Sequence, residues 1–327
     1  MSCPSIPELD LDQWSEILLG KLDGKRYPLS GTLEVTNRCN LRCVHCYINQ
    51  PPGSRVEISH ELDTDALISI IDRIVDAGCL FLLITGGEPL LRSDFPQIYM
   101  HAKRRGLMIT LFTNATLITQ EIADLLAAFP PRMVDISIYG ASRETYESVT
   151  SIKGSFDRFM RGIHLLRERN IPISIKTIVL TVNKHELSRM KFFAEELGLK
   201  FRYDGLVWPR RDGGESPLKY RISADDLLAL DLESSERVHE WKKLGDEFRG
   251  ILGRKDYVFT CGAGIRSFHI NSRGEMSICT MVSQPVYDLK EMRFEEAWEK
   301  IGELRKWKRK MNTECETCSV NGYCLQC

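Results

Sequence analysis

Along the first two thirds of the chain, short runs in which apolar residues dominate or alternate with polar ones are separated by stretches where apolar positions recur every three or four residues. The first pattern suits strands, and the second gathers side chains on one face of a helix. Residues 32–36, 80–85, 108–112, 133–138, 173–180 and 200–203 read as strands. Between the first two, Leu67, Ile70, Ile71, Ile74 and Val75 make a single helical face, with Asp63 or Thr64 as cap and Gly78 just past the end. The same spacing predicts helices near 94–105, 119–128, 155–169 and 185–197, the last closed by Gly198. Strand and helix in alternation predict an α/β fold with parallel strands and right-handed crossovers, either an open doubly wound sheet or a partial barrel.

From about residue 210 the alternation stops. The polar run RRDGGESP is turn-forming, and residues 224–250 read as one or two charged helices. Residues 268–279 suggest two strands around the turn 271–274, and 294–310 a helix. The expected organisation is an N-terminal extension at 1–30, with one helix-like segment at 11–22, a strand-helix barrel at 31–206, a helical bridge at 207–256 and a small cysteine-rich domain at 257–327.

Composition adds exclusions. Apolar residues at 43% and charged residues at 27% are ordinary for a globular protein. A net charge of -1, from 44 basic and 45 acidic side chains, gives no electrostatic footprint for nucleic acid or an anionic membrane. The longest apolar stretch, 79–85, is far short of the roughly 20 residues that span a bilayer, and the opening MSCPSIPELD lacks a basic segment followed by an apolar core. A cytoplasmic protein is expected. In that compartment thiols stay reduced, so eleven cysteines point to metal rather than disulfides. They cluster, three in 39–46 and six in 261–327.

The run Cys39-Asn-Leu-Arg-Cys43-Val-His-Cys46 follows the first strand. Three thiolates from one loop can hold three irons of a 4Fe-4S cube and leave the fourth iron open for reaction. A closed zinc site would need a fourth ligand, and the nearby His45 lies between two of the cysteines. With Gly86-Gly87-Glu88-Pro89 after the second strand, this C-x3-C-x2-C run resembles the radical S-adenosylmethionine (radical SAM) enzymes. The resemblance covers about 31–206 and favours a partial (β/α)6 barrel of the TIM type over the open sheet. It implies that Cys39, Cys43 and Cys46 carry a 4Fe-4S cluster, whose open iron binds SAM and cleaves it reductively to a 5′-deoxyadenosyl radical. It also implies that Gly86, Gly87, Glu88 and Pro89 receive the SAM amino group, adjacent glycines allowing close approach and a carboxylate accepting from an ammonium. By the same resemblance Asn114, in a Thr-Asn-Ala segment where relatives carry Thr-Asn-Gly, belongs to the cofactor pocket. Ser137 and Lys176 would face SAM ribose or carboxylate and Val182 its adenine; each could equally be an ordinary barrel-lining residue. Tyr47 reads as packing or an adenine contact.

The second group is Cys261, Gly274-x4-Cys279 and Cys315-x2-Cys318-x5-Cys324-x2-Cys327. Alone, its last four members would make a zinc knot. After a radical SAM core it resembles the SPASM extension, which implies one or two auxiliary 4Fe-4S clusters. Cys261, Cys279 and Cys327 would share one, and Cys315, Cys318 and Cys324 the other. Two full cubes need eight ligands and only six cysteines lie here, so further chain beyond Cys327 or an open substrate-binding iron would complete the set. Cys79 reads as core and Cys3 as a terminal thiol.

The resemblance implies maturation of a ribosomally made peptide or protein, helped by a one-electron reductant of the flavodoxin or ferredoxin kind. Tetrapyrrole or haem side-chain modification is the alternative. Sulfatase maturation is weaker, since Thr280 stands where those relatives keep an aspartate, and a non-catalytic iron-sulfur or zinc module would require four closed ligands at every site. Residues 1–30 are too few for an independent leader-binding core, so a separate leader-binding protein or the barrel mouth is expected to capture a peptide. Arg210 and Arg211 are the local candidates for gripping an acidic leader, against the plainer reading of a solvated loop.

Overall fold

The computed structural model describes residues 11–48, 50–249, 257–259, 261–309 and 317. After α1 (Leu11–Lys21), six parallel strands follow in chain order: β1 (Ser30–Thr36), β2 (Phe81–Gly86), β3 (Met108–Thr113), β4 (Met133–Ser137), β5 (Ile173–Ile178) and β6 (Lys200–Asp204). The crossovers carry α2 (Arg55–His60) and α3 (Thr64–Asp76), α4 (Phe95–Arg104), α5 (Gln120–Ala128), α6 (Arg143–Thr150) and α7 (Ser155–Glu168), and α8 (Leu187–Glu196). Asp63 caps α3 by accepting the Ala66 N–H at 2.9 Å, satisfying one of the orphan donors of the first turn. The expected face of α3, Leu67, Ile70, Ile71 and Ile74, is buried in one core with Leu33, Val35, Leu82 and Ile84 of the first two strands. Each such side chain contributes about 1.5–3 kcal/mol by leaving water.

Two departures from the sequence pattern have local causes. β5 stops at Ile178, not near 180, because the Leu180 N–H turns to the Asn183 side chain at 2.7 Å. α6 is not visible in the periodicity because its residues RETYESVT offer only Tyr146 and Val149 as apolar anchors.

The bridge forms as α9 (Ala224–Leu232) and α10 (Ser235–Arg249). Then β7 (Ser267–Ile270) pairs in parallel with β1, and β8 (Glu275–Ser277) and β9 (Tyr287–Asp288) continue antiparallel before α11 (Phe294–Glu303). The hairpin thus extends the barrel sheet on the side away from β6, in the order β6-β5-β4-β3-β2-β1-β7-β8-β9. The sheet does not close, and the fold is an α/β partial barrel. Among the described residues no helix is long and apolar enough to cross a membrane. The carboxyl ends of β1 to β6 gather at one end, where the loops of such barrels carry their sites.

Candidate active site

The loop after β1 is held from several sides. Gly87 and Glu88 donate their N–H groups to the carbonyls of Thr36 and Arg38 at 2.8 and 2.9 Å, and Cys39 donates to Gln50 at 2.9 Å. Arg42 and Val44 donate to Thr150 and Val149 of α6 at 3.0 and 2.9 Å. Cys39, Cys43 and Cys46 lie on this loop as partly buried thiols outside any disulfide. Burial, and then the Glu88 carboxylate, pushes Cys39 up to about 12, and burial with the neighbouring Cys46 and Cys39 sulfurs raises Cys43 well above the ordinary thiol range. Such crowding opposes three thiolates unless cationic irons compensate them. Among the described residues no three His, Cys, Asp or Glu side chains converge closely enough to clasp a single ion. A cube asks for a wider arrangement, one thiolate per iron. Beside these thiols the buried Nδ1 of His45 has no partner, and its ring meets Tyr139 edge-on at 4.8 Å. Burial holds His45 down at about 4, so the imidazole is neutral. Buried thiols grouped on one loop beside an unpartnered polar atom fit an iron-sulfur cluster.

Backbone crowding explains the two glycines of the next loop. A Cβ on Gly86, whose φ is 132°, would stand 2.1 Å from the Thr36 carbonyl oxygen, and one on Gly87 would stand 2.2 Å from that of Arg38. Their close approach is therefore to the cysteine loop itself. Pro89 opens a short 3-10 turn behind them. Glu88 is fully buried and accepts from Thr113 Oγ1 and Asn114 N–H at 2.8 Å each and from Leu90 N–H at 3.2 Å. Its acceptors are turned to the end of β3, where the sequence suggested an open carboxylate for an ammonium.

Asn114 is also occupied locally, donating to Asn40 Oδ1 at 3.0 Å and to Cys39 Sγ at 3.7 Å. Ser137, ending β4, is hydrogen bonded to the buried phenol of Tyr139, which links it to His45. Lys176 lies 3.6 Å from Asp135 and over the ring of Phe112. Burial, only partly offset by Asp135, lowers its ammonium to about 7. Val182 packs in a small apolar cluster with Val44, from the cysteine loop, and Tyr139. Cys279 is partly buried after β8, and Cys261 is exposed before β7. Cys315, Cys318, Cys324 and Cys327 lie outside the described residues.

Sequence reasoning missed a second buried group at the same end. Glu34, between Leu33 and Val35 on β1, takes two hydrogen bonds from Arg211 at 2.7 and 2.5 Å, and His269 Nε2 stands 3.4 Å away. His269 Nδ1 meets Ser277 Oγ at 2.9 Å, and Arg211 donates its N–H to the Tyr47 carbonyl at 2.9 Å. Arg211 is thus turned inward to a buried acid, whereas Arg210 pairs with exposed Asp212. The available signal was a carboxylate set between two apolar residues of a strand, Leu33 and Val35. Burial, and then the Glu34 carboxylate, raises the Tyr47 phenol.

The comparisons with known proteins agree with this geometry. Residues 33–194 match the radical SAM superfamily. The chain is similar to an AdoMet-dependent heme synthase of Methanosarcina barkeri, 27% identical over 90% of this chain and 89% of that one. It is also similar to the antilisterial bacteriocin subtilosin biosynthesis protein AlbA of Bacillus subtilis, 27% identical over 92% of this chain and 67% of that one. In fold it resembles Streptococcus suis SuiB bound to precursor peptide SuiA, with TM-score 0.70 at 17% identity over 100% of this chain and 80% of that chain. The matched span 33–194 contains the three-cysteine loop and the Gly-Gly-Glu-Pro turn zipped to it, and the chain belongs to the radical SAM superfamily of enzymes, with a 4Fe-4S cluster and SAM as cofactors.

Proposed function

We propose that this enzyme abstracts a hydrogen atom from a side chain of a ribosomally made peptide or protein. Cys39, Cys43 and Cys46 would hold the cluster; Gly86 to Pro89, Ser137, Lys176 and Val182 would border SAM. When bound, the cluster and SAM supply the 5′-deoxyadenosyl radical. The chain's own contribution is to hold the cysteine loop between Gly87 and α6 and to line the barrel interior with charge that is already compensated.

That compensation is the observation that carries the reading. Lys176 and Arg202 both meet the buried Asp135, and Arg211 meets the buried Glu34. A substrate bearing several carboxylates would have to displace these acids, at the cost of leaving them buried and unpaired. A peptide segment offers backbone and side-chain groups of low net charge and asks for no such exchange. A one-electron reductant of the flavodoxin or ferredoxin kind and a separate leader-binding protein complete the proposal, and Cys261, Cys279, Cys315, Cys318, Cys324 and Cys327 would serve one or two auxiliary clusters.

A second reading, tetrapyrrole side-chain modification, is favoured by the alignment with a heme synthase along 89% of that enzyme's length. One experiment separates the two. The reconstituted, reduced protein is given SAM with small peptides encoded beside it, and in parallel with carboxylated iron porphyrins, and every product is weighed by mass spectrometry. A mass change in a peptide together with 5′-deoxyadenosine is expected. A mass change in the porphyrin alone would replace the first reading with the second.

A further inference from the structure

Asn114, just past β3, is one of three side chains tied in a closed hydrogen-bonded ring against a cluster cysteine. Its Oδ1 accepts the Thr116 N–H at 2.9 Å and the Thr116 hydroxyl at 2.6 Å. A backbone N–H can only donate, so this contact fixes which way the amide points. The two Nδ2 protons then fall to Asn40 Oδ1 at 3.0 Å and to Cys39 Sγ at 3.7 Å. Asn40 closes the ring by donating its own amide to Thr116 Oγ1 at 2.7 Å, which leaves the Thr116 proton for Asn114. Both Asn114 amide protons are thus assigned, and neither is left for a bound ligand. Asn114 and Thr116 are buried, so these contacts act in a medium of low dielectric. The Asn114 N–H is anchored in turn on Glu88 at 2.8 Å.

We propose that Asn114 is a positioning residue for Cys39 and that its amide, donated to the cysteine sulfur, raises the reduction potential of the cluster held there. The inference rests on the reading of Cys39 as a cluster ligand. Reduction adds one electron and makes the thiolate-ligated group more negative. An N–H aimed at the sulfur stabilises the more negative state and eases that electron's entry. Removing the donor leaves the sulfur less compensated and shifts the potential downward.

The test is an anaerobic redox titration of the full-length, reconstituted protein followed by electron paramagnetic resonance, using the signal that changes when SAM is added. Asn114→Ala removes the donor. Asn114→Asp keeps an oxygen for Thr116 but sets a second oxygen against the sulfur. The expected result is a midpoint shifted to more negative potential in Asn114→Ala and further in Asn114→Asp, with SAM affinity unchanged in Asn114→Ala. A midpoint that stays put in both variants overturns the inference, as does weakened SAM binding at an unmoved potential, which would place the amide on SAM. If either variant fails to keep about four irons at this site, Thr116→Val carries the test. It removes only the hydroxyl that pins the amide, and a smaller shift of the same sign is expected, an unmoved midpoint again counting against the idea. Absence of any SAM-sensitive signal in the unaltered protein would instead take down the assignment of Cys39.

Discussion

Glu34 and Glu88 are both fully buried at the same end of the barrel, yet their surroundings drive them in opposite directions. For each, burial is the largest influence and pushes the carboxyl up. Around Glu88 the partners are neutral donors, the Asn114 and Leu90 N–H groups and the Thr113 hydroxyl, which offset burial only in part and leave it at about 7. Around Glu34, His269 at 3.4 Å and the doubly hydrogen-bonded guanidinium of Arg211 outweigh burial and hold it down at about 2. The comparison separates two roles in one barrel mouth. Glu88 fastens the cysteine loop, the turn after β2 and the end of β3 through hydrogen bonds. Glu34 is an anchor of fixed charge that draws the loop after β6 and the β7–β8 hairpin onto β1.

The largest effect is expected on the Glu88 side, because that is where the proposed cofactor site lies. Replacing Cys39, Cys43 and Cys46 together with alanine should abolish 5′-deoxyadenosine formation from SAM while iron remains on the C-terminal cysteines. Chromatographic assay of 5′-deoxyadenosine, with iron and sulfide analysis of the same sample, checks both halves. Undiminished 5′-deoxyadenosine from the triple variant would move the cofactor site away from this loop and dissolve the division of labour.

Next in size is the charged anchor. Arg211→Ala strands a buried carboxylate, and breaking such a pair from one side is expected to cost about 3 kcal/mol, the lower end of the range because the Arg211 side chain keeps 30% of its surface exposed. Glu34→Leu combined with Arg211→Met removes both charges and should recover most of that loss. Urea unfolding of the two proteins and the parent measures the difference. A double variant as unstable as Arg211→Ala would show that hydrophobic replacement cannot fill this site and that the pair is more than a charge anchor.

The two carboxylates also mark how far the sequence could be read. The strands and the face of α3 follow from local periodicity, and the cysteine loop from ligand spacing within a few residues; neither depends on distant partners. The partners of Glu34 do. Arg211 lies 177 residues away along the chain, and β7, which brings His269, joins β1 by a pairing that no local pattern specifies. The same limit applies to Lys176, whose inward place on β5 follows from alternation while its engagement by Asp135 of β4 depends on which strands become neighbours. At Glu88 the residue and its loop were legible, but two of its three hydrogen-bond partners come from the end of β3 and only the assembled barrel supplies them.

The smallest effect expected is also the sharpest test of the contrast, since it turns on the sign of a slope. In the cluster-free protein Glu88 binds its proton more tightly folded, at about 7, than at the ordinary 4.5 of an unfolded chain. Its contribution to stability is therefore fully present below about pH 4.5 and is lost as the pH rises through 7, on the order of 3 kcal/mol across that window. Glu34, held at about 2, contributes in the opposite sense, present above pH 4.5 and lost as the pH falls through 2. Glu88→Gln should lower stability at acid pH by about 1–3 kcal/mol, because its amide nitrogen must face one of three donors. It should also flatten the decline between pH 4.5 and 7 while leaving the acid limb below pH 4 intact. Glu34→Gln should do the reverse, flattening the acid limb and sparing the neutral window. Urea midpoints across a pH series for both variants decide it. If Glu88→Gln leaves the neutral slope unchanged, Glu88 is ionised in the folded protein at every pH in that window. The two buried carboxylates would then share one electrostatic role instead of dividing it.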